Sequence, residues 1–444
     1  MSKTLIKNAV IINEGVRFEA DILIQDEIIT KIGSNLSSNG SKIMDIAGNF
    51  VLPGIIDDQV HFREPGLTHK GDIASESRAA IAGGITSYME QPNTNPQTTT
   101  IEKLEQKFDL ASRTSYANYS FLLGGTNDNL EEIKKLDKYA CSGIKLFLGS
   151  STGNMLVDNE EVLERIFNNT ELVISVHCED EKTVRENTQK YRAIYGDDIP
   201  VELHPLIRSE QACYLSSSRA IALAEKTGAR LHVFHVSTGK ETHLFRNDIP
   251  LEQKKITSEV CIHHLWFSDK DYSEKGMLIK WNPAIKTSTD RDQLWQALLD
   301  DRIDVVATDH APHTLEEKKN NYMKAPSGGP LVQHALAAIL EKSIEGKIAV
   351  EKVVEKMCHN PAKLFQIDKR GYINEGYYAD LAIVDMNSPW TVDANNIAYK
   401  CAWSPFDGNR FRTKVTHTFV NGHLAYDKGQ FSNFRNAKRL TFNR

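Results

Sequence analysis

The chain has 444 residues, 40% of them apolar and 25% charged, with a formal net charge of -6. That length exceeds one ordinary core, so two domains, or one large barrel with an addition, are expected. The mild acidity gives no electrostatic reason for nucleic-acid or membrane partners; no run reaches the length of a membrane helix, and the first residues lack the apolar core of a leader, so a cytoplasmic protein is expected.

Residues 1–53 read as all-β. Leu5–Ile12, Ala20–Gln25 and Glu27–Ile32 are short apolar runs separated by turns at Asn13-Glu14-Gly15 and Gln25-Asp26. From about 54 to about 375 the pattern changes. Short apolar runs recur at 54–61, 84–91, 118–125, 142–148, 171–178, 230–237, 256–264 and 303–310, most of them separated by helix-like stretches such as 74–82 and 216–225. Eight such runs with helical crossovers predict an α/β fold, a (β/α)8 TIM-like barrel. The competing doubly wound open sheet announces itself by a Gly-rich phosphate loop after its first strand, and none stands here. Beyond the barrel, Ala379–Asp385 and His417–Ala425 are again strand-like, the second broken by an Asn421-Gly422 turn. The two terminal β segments, 1–53 and 376–444, are expected to form one composite β-sandwich domain beside a barrel of 54–375. Six cysteines are scattered with no CxxC pair, which suits buried reduced thiols rather than a disulfide framework.

A barrel gathers its chemistry at the C-terminal ends of its strands. His61 ends the first run, Gln91-Pro92-Asn93 follows the second, and Lys145 lies within the fourth. His177 ends the fifth, His235 the sixth and Asp309 the eighth. A lone histidine is usually a core or surface residue. Three histidines and an aspartate at equivalent strand ends are brought together by the fold, and imidazole and carboxylate are metal ligands. Lys145 sits among Ile144, Leu146, Phe147 and Leu148. Two readings stand for it: an ammonium reaching to the barrel mouth, or a buried amine that sheds its proton and takes up carbon dioxide as a carbamate able to bridge metal ions. His263 and His264 follow the seventh run and read as supporting or core residues, with Trp266 and Phe267 as packing.

The motifs DDQVHFREPG (57–66), QPNTNP (91–96), IKLFLG (144–149), VHCED (176–180), FHVST (234–238), WNPAIK (281–286) and ATDHAPH (307–313) together resemble the cyclic amidohydrolases, and within them the dihydroorotase family, over essentially the whole chain. The resemblance implies one or two zinc ions held by His61, Lys145 as its carbamate, His177, His235 and Asp309; manganese or cobalt suits the same nitrogen and oxygen donors. It implies hydrolysis of a cyclic amide: the metal lowers the pKa of water from about 15.7 towards 7, and Asp309 takes the proton and passes it to the leaving nitrogen. It implies dihydroorotate and N-carbamoyl-aspartate as small-molecule substrate and product in pyrimidine biosynthesis, a homodimer, and association with aspartate transcarbamoylase as a further expectation. Arg63, Asn93 and His313 match the positions that hold the substrate carboxylate, and Asn282 one that hydrogen-bonds the ring.

One departure bears on the metal. The family has His-x-His in the first motif, and this chain has Gln59-Val60-His61. An amide oxygen is a poorer zinc donor than imidazole, so the site built on the first strand is expected to be weakened, while the set of Lys145, His177 and His235 loses nothing. Three functions therefore stand side by side: a dihydroorotase; a hydantoinase- or allantoinase-like hydrolase, which has no use for Arg63 with Asn93; and a catalytically impaired scaffold, for which Gln59 is the argument. Arg63 has a plainer reading too, a salt bridge to Glu64 or Asp57. The polar segment 314–329, ending Pro326-Ser327-Gly328-Gly329, reads either as a hinged flap over the mouth or as a solvated loop. Ser327 stands where family members often carry an aromatic residue.

Overall fold

The computed structural model describes residues 2–38, 40–149 and 155–444. All eight apolar runs of the middle region become parallel strands of one sheet: Ile55–Val60, Ile85–Glu90, Asn118–Gly124, Gly143–Phe147, Ile174–His177, Leu231–Val233, Ile256–Cys261 and Val305–Ala307, each paired to its sequence neighbour. The first and last strands meet through the parallel bridge Val60–His310 and the His61 N–H donated to His310 O at 2.7 Å, which brings the sheet round to a near-closed barrel. The first five strands are buried along their whole length. That explains why their apolar residues do not alternate with exposed polar ones, because a parallel strand is covered on both faces.

Three strands, Ile174–His177, Leu231–Val233 and Val305–Ala307, are half the length of their apolar runs or less, and the backbone gives the reason for two. His235 and Asp309 have φ of +40° and +47°, in the left-handed region that no strand continues through. Each lies two residues past the end of its strand.

The helices are fixed locally. Helix Ile73–Ala82 is capped by Asp72, whose carboxylate accepts from Ser75 N–H at 2.7 Å while Ser75 Oγ accepts from Asp72 N–H. Helix Ile101–Thr114 buries Leu104, Lys107, Phe108 and Ala111, an i, i+3, i+4, i+7 stripe laid against the barrel.

The termini build the second body together. Lys3–Asn13, Val16–Gln25, Ile28–Gly33, Lys42–Asp45 and Phe50–Pro53 join Leu381–Asp385, Lys414–Val420, His423–Asp427 and Gln430–Phe431 in one nine-stranded sheet. Phe50–Pro53 and Leu381–Asp385 are its antiparallel seam. Its own core includes Ile6, Ile11, Ile22, Ile29, Val51, Ile383 and Phe419. Phe50–Pro53 runs through Gly54 directly into the first barrel strand, which holds the sheet at a set position relative to the barrel. Among the described residues no helix is long and apolar enough to cross a membrane.

Candidate active site

Every residue nominated from the sequence faces one cavity of about 220 Å³ at the C-terminal ends of the strands: Gln59, His61, Arg63, Asn93, Lys145, His177, His235, Asn282, Asp309 and His313 all line it. A larger cleft, about 620 Å³ and lined by Arg230, Lys254, Lys363 and Arg444 among others, opens at the opposite end of the barrel and contains none of these groups. Chemistry, not volume, singles out the smaller one.

Two pairs of donors converge within it. His61 Nε2 lies 3.1 Å from Asp309 Oδ1, and its Nδ1 lies 2.8 Å from Asn93 Oδ1. The amide oxygen can only accept, so Nδ1 carries the proton and Nε2 presents its lone pair when the ring is neutral. His177 Nδ1 faces His235 Nε2 at 3.0 Å. His177 Nε2 is 3.1 Å from Glu179, which is itself paired with Arg208. Burial pushes all three imidazoles below their ordinary range, His235 well below it, although Asp309 and Glu179 pull His61 and His177 back up. Neutral imidazole is the form that ligates a metal.

Lys145 is 1% exposed, and its ammonium lies over the Phe234 ring at 4.1 Å and the Phe147 ring at 4.9 Å. Burial brings the amine down to about 7, with Glu259 and Asp309 partly opposing. The reading in which this lysine reaches solvent at the barrel mouth does not describe it. A buried amine that is substantially neutral near pH 7 is the state a carbamate requires.

Backbone strain collects here. Arg63, His235 and Asp309 all have positive φ, at +71°, +40° and +47°, a conformation costing of order 1–3 kcal/mol for such residues. The surroundings hold each in place. Arg63 Nε donates to Pro312 O at 3.0 Å, and its Nη2 lies 3.0 Å from His313 Nε2. The salt bridge to Glu64 or Asp57 does not form; Arg63 turns instead towards the 307–313 motif. Gly66, in the same motif, has φ +85°, and a Cβ there would fall 1.8 Å from Asn95 O. Only glycine lets the first-strand loop lie against the loop that carries Asn93.

The segment 314–329 roofs one side of the cavity with Pro326, Ser327 and Gly328. Buried Lys318 ties it down, donating to Pro326 O at 2.9 Å and Gly328 O at 2.8 Å. His263 is buried and stacked on Trp281 at 4.5 Å, and Trp266 and Phe267 pack on Phe406, as expected of supporting residues.

Sequence reasoning passed over several groups. Glu179 and Arg208 orient His177, and the signal was a carboxylate two residues beyond a strand-end histidine. Asp58, His232 and Glu259 cluster inside the barrel; each lay within an apolar run, where a charged residue is itself a signal.

Imidazoles lowered by burial, a buried lysine brought down to about 7 and an aspartate meet at one mouth of the barrel, a donor set of the kind a metal-dependent hydrolase uses. The chain belongs to the amidohydrolase family, whose model matches residues 50–425. It is similar to the dihydroorotase of Halobacterium salinarum, 32% identical over 434 residues covering 97% of this chain and 98% of that one, and to the dihydroorotase of Pyrococcus abyssi, 34% identical over 413 residues covering 92% and 91%. Among solved structures it resembles the L-hydantoinase (dihydropyrimidinase) of Arthrobacter aurescens with a TM-score of 0.93 at 27% identity, over 100% of both chains. Within the family it is a cyclic amidohydrolase.

Proposed function

We propose that the chain is a dihydroorotase that interconverts dihydroorotate and N-carbamoyl-aspartate in pyrimidine biosynthesis with one or two zinc ions. The observation that carries this reading is the proximity of Arg63 and Asn93 to the His61–Asp309 pair in one small cavity. Dihydroorotate has an exocyclic carboxylate that hydantoin lacks, and a guanidinium is a planar fork for it. Lys70, 3.1 Å from His313 Nδ1 and 3.2 Å from Glu317, brings a further amine to that side of the cavity.

The donors fit a metal. His177 Nε2 and His235 Nδ1 are buried without a well-directed hydrogen bond among the described residues, and the ring nitrogens facing each other at 3.0 Å leave room for only one proton between them. Lys145 as its carbamate, His177 and His235 would hold one ion, and His61 and Asp309 would complete the set. Bound there, the ion supplies a Lewis acid for the carbonyl and an acidified water. Asp309, held against His61, is placed to receive the proton of the attacking water and deliver it to the ring nitrogen. Gln59 is the weak member. Its oxygen accepts from the Cys261 thiol at 3.6 Å, which favours a single complete metal site. Manganese or cobalt would occupy the same donors.

The likeness to L-hydantoinase favours a second reading, hydrolysis of uncharged cyclic ureides. Metal analysis combined with ring-opening assays on dihydroorotate and hydantoin separates the two. The expected result is at least one zinc per chain and turnover of dihydroorotate, lost in His177→Ala and in Asp309→Ala. Turnover of hydantoin alone would establish the second reading. A metal-free chain inactive on both would make it a scaffold, and full activity in either variant would refute the site.

A further inference from the structure

Beneath the pocket floor lies a second set of donors that ring hydrolysis does not use. Asp58 on the first barrel strand, His232 on the sixth and Glu259 on the seventh meet in the barrel interior, each 0% exposed. The pairing of the first strand with the second shifts between Asp57 and Val60, and this irregularity turns Asp58 inward as well as Gln59. His232 Nε2 is 3.2 Å from Asp58 Oδ2 and 3.4 Å from Glu259 Oε2, and one donor atom from each of the three lies within 4.8 Å of the others.

Hydrogen bonding does not account for the cluster. His232 Nε2, both Asp58 carboxylate oxygens and Glu259 Oε2 are buried with no well-directed hydrogen bond among the described residues. The far side of the ring fixes the tautomer. Thr257 Oγ1 spends its proton on Leu231 O at 3.2 Å, so at 2.9 Å it accepts from His232 Nδ1–H. In the neutral ring, Nε2 then aims a bare lone pair at two carboxylates. Three electron-rich atoms in a dry interior require a cation among them. A proton is the minimal answer. Each proton points along one axis and serves one carboxylate, whereas a single metal ion meets all three groups at once.

We propose that Asp58, His232 and Glu259 form a second metal site that takes a small divalent cation of the zinc or manganese class. The separations of 3.2 and 3.4 Å match the edge of about 3.3 Å between ligands in a tetrahedral zinc site with bonds of 2.0–2.1 Å. Donation of Nδ1–H to Thr257 is the outer contact that orients a ligating histidine. One nitrogen and two carboxylates, with no thiolate, suit zinc and manganese over softer ions. The ion arrives as the chain folds or through the pocket floor, where Gln59 touches Cys261 and Cys261 touches Glu259. Its three donor atoms are distinct from the strand-end ones, although Glu259 Oε1 accepts from His235 N–H at 3.1 Å, and the proposal stands whether or not dihydroorotate is the substrate.

The test is anomalous diffraction at the zinc and manganese edges on crystals of the full chain loaded with each metal alone, together with metal counts in solution. The expected result is a peak among His232 Nε2, Asp58 and Glu259 that persists in His177→Ala/His235→Ala and disappears in the near-isosteric Asp58→Asn, with circular dichroism unchanged. No peak there in the wild-type chain while the strand-end site is filled overturns this proposal and leaves the proposed function intact. A peak that survives in Asp58→Asn at full occupancy also overturns it. A peak only at the buried cluster supports the proposal and removes the metal from the ring-opening mechanism.

Discussion

Arg63 is held in a left-handed conformation with Nε tied to Pro312 O and one Nη near His313. What remains of its fork is aimed into the cavity. Lysine keeps the charge and loses the fork. Arg63→Lys is therefore expected to lower kcat/KM for dihydroorotate about 10- to 100-fold, the loss of one charge-assisted hydrogen bond of about 1.5–3 kcal/mol. Any hydantoin turnover should be little changed, and parallel steady-state assays on the two substrates check this. Glu179 gives a pH prediction. Burial alone would raise its carboxyl, but Arg208 and His177 outweigh that and bring it down to about 2 from 4.5. A depressed acid contributes stability above its unfolded pKa and loses it as pH falls through the folded one, so this contribution should drain away between about pH 4.5 and pH 2. A shift of that size corresponds to something on the order of 3 kcal/mol. Denaturant titrations across that window should show a shallower pH dependence for Glu179→Gln than for wild type, and equal slopes would remove Glu179 from the account.

Among the elements, helix Ile101–Thr114 shows how the barrel disciplines its shell. Its stripe includes Lys107, an unusual residue on a buried face, which reaches Glu90 at the end of the second strand at 2.8 Å with side chains 1% and 0% exposed. Lys107 also donates to Gln91 O at 3.1 Å. The pair thus anchors the start of the loop that carries Asn93. Breaking one partner of a buried pair strands a charge, typically at a cost of about 3–5 kcal/mol. Lys107→Met should be destabilised to that degree, and Glu90→Gln/Lys107→Met should recover most of it. A double-mutant cycle by chemical denaturation checks the coupling; additive losses would show that the pair is incidental.

Across the whole molecule, the two bodies share a buried polar junction. Asp380 beside the terminal sheet is paired with Arg370, accepts from Asn118 Nδ2 of the third barrel strand at 3.1 Å and from Asn421 N–H at 2.7 Å. Asn421 in turn donates to Asn118 Oδ1 at 2.7 Å. The C-terminal tail closes over the same strand, with Tyr119 N–H donated to Lys438 O and Leu440 N–H to Tyr119 O. Removing Asp380 leaves the Arg370 charge without its counter-ion, with Asn421 Oδ1 still accepting from it at 2.7 Å, and leaves two amides without their acceptor. Asp380→Ala should lower Tm and still unfold in one calorimetric transition, because sheet and barrel are joined at several points. Two separated transitions would mean that the bodies are independent.

How much of this was legible beforehand differs by residue. The eight strands could be read because a parallel strand covered on both faces carries apolar residues on both, and that is largely a property of each segment alone. The cavity residues could be read because barrel topology carries every strand end to one mouth, so His61, His177 and Asp309 met although they are far apart in sequence. The left-handed turns at His235 and Asp309 could not be read, since the contacts that hold them come from other strands. Nor could the partner of Arg63: its neighbours Asp57 and Glu64 were nearer in sequence, and the fold chose Pro312 and His313. The sequence by itself determined the fold class, because that follows from residue type and period; the nominated cavity residues and the departure at Gln59 were read from strand ends and from the family resemblance. Only the tertiary structure decided that Lys145 is dry enough to lie near neutrality, that Glu179 and Arg208 steady His177, and that Asp58, His232 and Glu259 share one buried point. Desolvation and convergence are set by what packs around a group, and packing is fixed only once the whole chain has folded.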